Sequence, residues 1–284
     1  MTMATGLDLA ALRAAIGRAQ TVQDEVTQRL AREFAATFDR EAPCVTAGAP
    51  ADPGLHWCLA PAIAKAALIG PDGHPLRGEF LPAVPLPRRM WAGGQLTTHD
   101  ALRIGDSIER RSTIADICVK DGRSGTLCFV TLQHDIFSPR GLAIEERQDV
   151  VYREMRNAAA PGGEPPARVK PQWLREMRID PVTLFRYSAV TFNGHRIHYD
   201  RSYATEIEGY AGLVVHGPFQ LTLLLDFAAS IKGRPPRAFA FRALQPLLDF
   251  VPFELCARDD ADGALQMWVQ TQEGVRTITS KAEW

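Results

Sequence analysis

The segment that most constrains the fold runs from Leu213 to Ile231, because a helix there is apolar on nearly every side. Leu221, Leu224, Leu225, Ala228 and Ala229 cover most of its circumference, so it must be enclosed rather than laid on a surface. Gly217-Pro218 marks its start, since a proline near the first helical position gives up no intrahelical hydrogen bond. The rest of the chain has to supply a wrapping for this helix.

The wrapping is legible as strands. Arg88 to Thr98, Asp106 to Val119 and Gly125 to Phe137 alternate apolar and polar residues, and Asp121-Gly122-Arg123-Ser124-Gly125 joins the last two as a hairpin. Val182 to Thr191 reads as a strand ahead of the helix. Phe239 to Leu244, Val251 to Arg258, Leu265 to Thr271 and Val275 to Glu283 read as four strands after it. An antiparallel sheet wrapped around one buried helix is the hotdog arrangement. The first half repeats the order: a helical or loop segment, a strand opening on Arg88-Arg89-Met90-Trp91, then a turn at Leu102-Arg103-Ile104-Gly105-Asp106. Leu248-Asp249-Phe250-Val251-Pro252 stands at the equivalent turn of the second half. The expected fold is α+β, a double hotdog with each antiparallel sheet around a central helix.

The Ala-, Pro- and Gly-rich run around Ala158 to Pro166 is the clearest linker. It divides the chain into an N-terminal unit over 1–155 with leading helices, a linker over 156–172 and a C-terminal unit over 173–284. Residues 7 to 39 read as helical from the spacing of Leu7, Leu12, Ile16, Val22, Val26, Leu30 and Phe34, with Thr21, Asp24 and Glu25 starting a second helix. His56-Trp57-Cys58-Leu59 suits a buried strand or strand-like turn, and Pro71 to Pro87 is loop.

Charge narrows the function. The net charge is -1 with Lys and Arg dispersed, so neither nucleic acid nor an anionic membrane is an expected partner. The five cysteines, Cys44, Cys58, Cys118, Cys128 and Cys256, contain no CxxC pair and read as buried small apolar residues. Met1 to Ala19 lacks a signal peptide's apolar stretch, and no run of about 18 uncharged apolar residues spans a membrane. The cytoplasm is the expected compartment.

Polar groups gather in Asn193-Gly194-His195-Arg196-Ile197-His198-Tyr199-Asp200, and His216-Gly217-Pro218 opens the helix shortly after. Hydration of an activated double bond needs a base for water, an acid for carbon and donors for the developing enolate oxygen. His198 is the candidate base, since imidazole titrates near working pH. Asn193 would hold the water or orient the ring, and the Gly217 N–H, at a helix N-terminus, would hold the thioester oxygen. A loop histidine is ordinarily structural, and His216 suits bracing of the helix start; Asp200 and Glu206 are explained by capping or exposure. His195, His198 and His216 have no acidic residue or cysteine at a familiar ligand spacing, so no metal is expected. No Gly-rich phosphate loop or dinucleotide fingerprint is present, so no cofactor is implied.

The run Thr191 to Asp200 with Glu208 to Pro218, and in the first half Arg88-Arg89-Met90-Trp91-Ala92-Gly93-Gly94 and Gly122-Arg123-Ser124-Gly125, resembles the MaoC-like, hydroxyacyl-thioester dehydratase type 2 family. The resemblance covers most of the chain from about Pro85 onward. Against the wider family's Asp-x-Asn-Pro-Leu-His loop, His198 matches the histidine, Ile197 the leucine, Arg196 the proline, His195 the asparagine and Asn193 the aspartate. An amide is no general base, so the resemblance leaves open whether His198 makes both proton transfers through water, another acid such as Asp200 contributes, or activity is lost. It implies an enoyl- or 3-hydroxyacyl-thioester substrate, with mesaconyl-CoA and itaconyl-CoA as leading candidates, and a homodimer is compatible with it. For a substrate carboxylate Arg196 is the first choice, with Arg89 or Arg242 as substitutes and His195 and His216 as further contacts. Lys232, Arg234 and Arg237 form a basic loop that would meet the phosphates of CoA, or is a solvated turn. The alternatives are a 3-hydroxyacyl-carrier-protein dehydratase, a non-catalytic thioester-binding protein and a thioesterase.

Overall fold

The structure is a computed structural model that describes residues 7–41, 46–122, 125–154 and 169–284. The tip of the 121–125 hairpin, Cys44 and most of the expected linker, through residue 168, lie outside the described residues. In chain order the elements are α1 (Leu9–Arg13), β1 (Ala19–Glu25), α2 (Gln28–Thr37), β2 (Arg88–Thr98), β3 (Ser107–Gly122), β4 (Gly125–Ser138), β5 (Gly141–Arg153), β6 (Trp173–Met177), α3 (Pro181–Val190), α4 (Gly217–Lys232), β7 (Ala238–Ala243), β8 (Phe253–Asp259), β9 (Leu265–Thr271) and β10 (Arg276–Glu283).

All ten strands join one sheet in the order β1-β3-β4-β5-β2-β7-β10-β9-β8-β6. Each half has its own first strand at the outer edge and its second at the centre, so β1, β3, β4, β5, β2 correspond to β6, β8, β9, β10, β7. The equivalent strands β2 and β7 pair antiparallel from Gly93↔Arg242 to Thr97↔Ala238 and fuse the halves. This is the double hotdog, with the duplication visible in strand order.

The enclosed helix is α4. Phe219, Leu221, Leu223, Leu224, Leu225 and Phe227 are all buried in the main core, each side chain contributing about 1.5–3 kcal/mol of hydrophobic stabilisation. Its end is set by Gly233, whose φ of 74° puts it in the left-handed region while its N–H reaches the Ala229 carbonyl at 2.8 Å. In the first half the corresponding space holds the ten-residue α2 and a one-turn 3-10 helix, Leu55–Cys58. That turn packs on α4 itself: a Cβ on Gly54 would lie 2.6 Å from Thr222 Oγ1. The α4 helix thus lies in a core shared by both halves, while a second cluster around Leu12, Ile114, Ile117 and Tyr152 belongs to the first half alone.

Three segments differ from the sequence expectation. Thr21 starts no helix; it lies in β1, which pairs with β3 and alternates exposed and half-buried residues. α1 ends at Arg13, Gly17 with a φ of 85° lies in the turn before β1, and the helix after β1 is capped by Thr27, whose side chain accepts the Leu30 N–H at 3.1 Å. His56 to Cys58 is a 3-10 turn rather than extended, and the chain becomes extended only at Leu59. Val182 to Thr191 is not a strand but α3: Asp180 caps the Thr183 N–H at 2.7 Å and Pro181 takes the first helical position. Leu184, Tyr187 and Ser188, at helical spacing, are its buried face.

Candidate active site

The chain leaves α3 through Phe192, which takes a left-handed φ of 51°. Asn193 Oδ1 then accepts the His195 N–H at 3.0 Å, closing an Asx-turn, and the Asn193 N–H returns to the Ser188 carbonyl at 2.8 Å. The Asn193 acceptor is therefore engaged in shaping the loop. A 3-10 turn, Arg196–His198, follows and buries Ile197 and His198. His198 Nδ1 lies 2.7 Å from the Val214 carbonyl. A carbonyl only accepts, so Nδ1 carries the hydrogen and Nε2 keeps its lone pair. The Val214 N–H donates back to Ile197 O at 3.0 Å, and the Val215 N–H reaches Leu247 O at 2.8 Å. Asp249 Oδ1 accepts from the Leu213 N–H at 2.9 Å. The carbonyl that sets the imidazole tautomer is itself fixed by the turn before β8.

Four imidazoles stand in a row. Ring centroids are 4.1 Å apart from His74 to His195, 5.3 Å from His195 to His198 and 3.7 Å from His198 to His216. His216 occupies the N-cap position of α4, with Nε2 2.8 Å from Ser188 Oγ and a buried Nδ1 that has no hydrogen-bond partner. Burial holds His198 down to about 4 against the opposing Val214 hydrogen bond, with the His74 charge adding to burial. Burial, then His74 and His198, depresses His195; burial, then His198 and His195, depresses His216. The rings are therefore neutral near pH 7, which leaves His198 Nε2 free to accept a proton.

His74 comes from the first half, on the Pro71 to Pro87 loop. Gly73 has a φ of +88°, and a Cβ there would lie 1.8 Å from the Gly194 carbonyl oxygen; a Cβ on Gly194 would lie 2.6 Å from Gly73 O. The Arg196 N–H donates to Asp72 O at 2.9 Å. His74 Nδ1 meets Asp72 Oδ2 at 3.0 Å. Burial pushes the Asp72 carboxyl up, but its hydrogen bonds with His74 and that ring's charge outweigh burial and keep it ionised below the usual range. Asp72, His74 and His195 each place a ligand atom within 4.8 Å of the others, a donor set of the kind that can hold a divalent ion. Neither Asp72 nor His74 was singled out in the sequence. The available signal was the length of a loop without secondary structure, which in a compact domain ordinarily carries function.

The remaining candidates are dispersed. Gly217, the first residue of α4, follows His216, and its N–H is one of those an α-helix leaves without an internal partner. Arg196 is already engaged: its guanidinium donates to Asp200 Oδ2 at 3.0 and 2.8 Å and to Pro71 O at 3.0 Å, and it stacks over Tyr203. Asp200 Oδ1 caps the Tyr203 N–H at 3.1 Å, and Glu206 is exposed. Arg242 alternates with the buried Phe239 and Phe241 on β7 and is exposed on the outer face, turned away from the histidines. Lys232, Arg234 and Arg237 lie at the C-terminal end of α4. At about 1.5 Å per residue this is roughly 22 Å from Gly217, and Lys232 is paired with Asp259 at 2.8 Å. Among the described residues no helix is long and apolar enough to cross a membrane.

The family profile described as "Hydroxyacyl-thioester dehydratase type 2" matches residues 54–249. A protein of Chloroflexus aurantiacus named "Mesaconyl-C(4)-CoA hydratase" is 42% identical over 275 residues, covering 94% of this chain and 96% of that one. A MaoC-like dehydratase from Phytophthora capsici superposes with a TM-score of 0.72 at 14% identity, covering 98% of each chain. A Mycobacterium tuberculosis protein with a double hotdog fold superposes at 0.59 with 12% identity, covering 94% of this chain and 95% of that one. The two structures share the fold; the profile, spanning both halves, and the 42% relative fix the family. The chain belongs to the hydroxyacyl-thioester dehydratase type 2 family and is an enzyme of the hydro-lyase class.

Proposed function

We propose that the protein adds water across the double bond of an enoyl-CoA thioester bearing a free carboxylate, with mesaconyl-C4-CoA as the substrate to test first. The observation that carries the reading is the Nδ1–H bond from His198 to the Val214 carbonyl, which leaves Nε2 basic beside the start of α4. His198 Nε2 takes a proton from water as its oxygen bonds to Cβ. The π electrons move toward the thioester oxygen, which the Gly217 N–H receives as it gains enolate charge. The enolate then collapses and Cα takes a proton, so water is added as H to Cα and OH to Cβ.

The second proton has a source other than Asn193 or Asp200. Asp200 is held ionised by the Tyr203 N–H and then by Arg196, which unsuits it as an acid. His195 faces His198, so we assign it the relay by which the proton that His198 took from water is delivered to Cα, leaving both rings neutral again. The 42% relative's name supports a five-carbon dicarboxylic acyl group over a long alkyl chain. Loss of the conjugated thioester's ultraviolet absorbance tests this with mesaconyl-C4-CoA, crotonyl-CoA and a long-chain enoyl carrier protein, with free thiol titrated in parallel. Fastest loss with the dicarboxylic thioester and no thiol is expected. Thiol release would make the protein a thioesterase, and preference for the carrier-protein substrate a fatty-acid dehydratase.

A further inference from the structure

In mesaconyl-C4-CoA the free carboxylate is carried by Cβ, the carbon that takes the hydroxyl, so whatever binds it must stand beside the histidines. The three cations suggested by sequence do not serve equally. Arg196 is engaged by Asp200 and Pro71, and Arg242 is on the outer face. Arg89 is differently placed. In β2 the residues Arg89, Trp91, Gly94 and Leu96 share one face across the bulge after Trp91, as their partners Tyr152, Val150, Gln148 and Glu146 alternate along β5. That face is the inner one: Leu96 and Tyr152 are buried, and Trp91 sits 3.4 Å from where a Cβ on Gly217 would be. Arg89 therefore projects from the same face that packs against the start of α4.

Its surroundings lack an internal counter-ion. Arg89 is half-buried, and among the described residues no carboxylate comes within ion-pair distance of its guanidinium. Its neighbours on either side are satisfied: Arg88 pairs with Glu208, and Arg77 donates to Val84 O and Leu86 O and to Pro87 O. Asp72, the carboxylate at the His74 end of the row, is bonded to His74. The charge of Arg89 is felt at both His74 and His195, which locates it at the His74 end of the imidazole row. A half-buried guanidinium without an anion, on the strand face that also carries Trp91 and close to the Tyr152 hydroxyl, matches a carboxylate that arrives with the ligand.

We infer that Arg89 is the specificity residue that binds the substrate's Cβ carboxylate, selecting dicarboxylic acyl thioesters over their alkyl counterparts. The inference rests on the hydratase reading, and saturated ligands separate the two. Succinyl-CoA and butyryl-CoA have the same four-carbon chain, differ by carboxylate against methyl at Cβ, and neither can be hydrated. Calorimetric titration of the full chain should show succinyl-CoA binding roughly 10- to 100-fold more tightly, the range of a charge-assisted hydrogen-bonded pair. In Arg89→Met that ratio should collapse to about one through loss of succinyl-CoA affinity, and Arg89→Lys should keep part of it. No preference in the wild type, or a preference unchanged in Arg89→Met and in Arg89→Lys, overturns the inference whatever the hydration assay gives. An equal loss for both ligands overturns it too, since a structural role would weaken them alike.

Discussion

Replacing Gly73 with alanine tests whether the site is built from both halves of the chain. The new Cβ would lie 1.8 Å from the Gly194 carbonyl oxygen, a backbone atom that cannot swing aside, at a residue whose φ is +88°. The left-handed backbone costs an L-residue about 1–2 kcal/mol. Separating the loops also removes the Arg196 N–H bond to Asp72 O and the guanidinium bond to Pro71 O, each about 1 kcal/mol net. The two terms together come to about 3 kcal/mol, offset slightly by alanine's smaller unfolded-state entropy. The core around α4 is untouched, so the penalty is met by the loops parting rather than by global unfolding. His74 then leaves His195, and a shift of about 1 Å in a positioned group is worth on the order of 100-fold in rate. The assay is kcat on the enoyl thioester with circular dichroism and Tm alongside. We expect a fall of about 100-fold in kcat with the fold retained. Activity within twofold of wild type would refute the composite site.

Further outcomes follow from the same geometry. Because the folded state holds His198 at about 4 against 6.5 unfolded, unfolding takes up a proton between those values; the other depressed rings, His56 and His134 among them at about 3, act in the same sense. Stability should be level above about pH 7 and fall through pH 6.5 toward 4, by roughly 1.4 kcal/mol per pH unit for each proton taken up; a Tm that holds steady down to pH 4.5 would contradict this. The acid limb of kcat/KM should lie below pH 6, since His198 remains a free base there, and a limb at 6.5 or higher would place another group in the role. Dialysis against a chelator should leave the hydration rate unchanged, whereas a loss restored by zinc would make Asp72, His74 and His195 a metal centre. Leu224→Ala, in the fully buried face of α4, should cost about 2–5 kcal/mol in denaturant titration, and less than 1 kcal/mol would mean the helix is not the shared core.

The strands legible in sequence are those with one buried face, such as β4, whose half-buried and buried residues alternate over its whole length. Less legible were elements whose local chemistry competes with their place in the fold. β5 hides its alternation behind Glu145, Glu146, Arg147 and Asp149, because Glu146 is a buried carboxyl held by Trp57 and Gln148 rather than a surface charge. α3 is rich in β-branched and aromatic residues that read as strand, and only Asp180-Pro181 reveals the helix. For the site, the 193–200 loop and the start of α4 were found because their polar residues are close in sequence. Asp72, His74 and the Val214 carbonyl were not, since sequence distance conceals the first two and a backbone acceptor has no residue signature. Arg196 reads in sequence as a cation for the substrate carboxylate, although its spacing of four from Asp200 is itself the signal for an internal pair.

The most direct test of the account follows the loss of enoyl absorbance from mesaconyl-C4-CoA with wild type and His198→Ala side by side. If His198 Nε2 is the base, the variant should keep its fold, still bind succinyl-CoA and hydrate at least about 100-fold more slowly, the scale of a lost general base. Hydration by His198→Ala within a few-fold of wild type would contradict the account and move the chemistry to another group in the imidazole row.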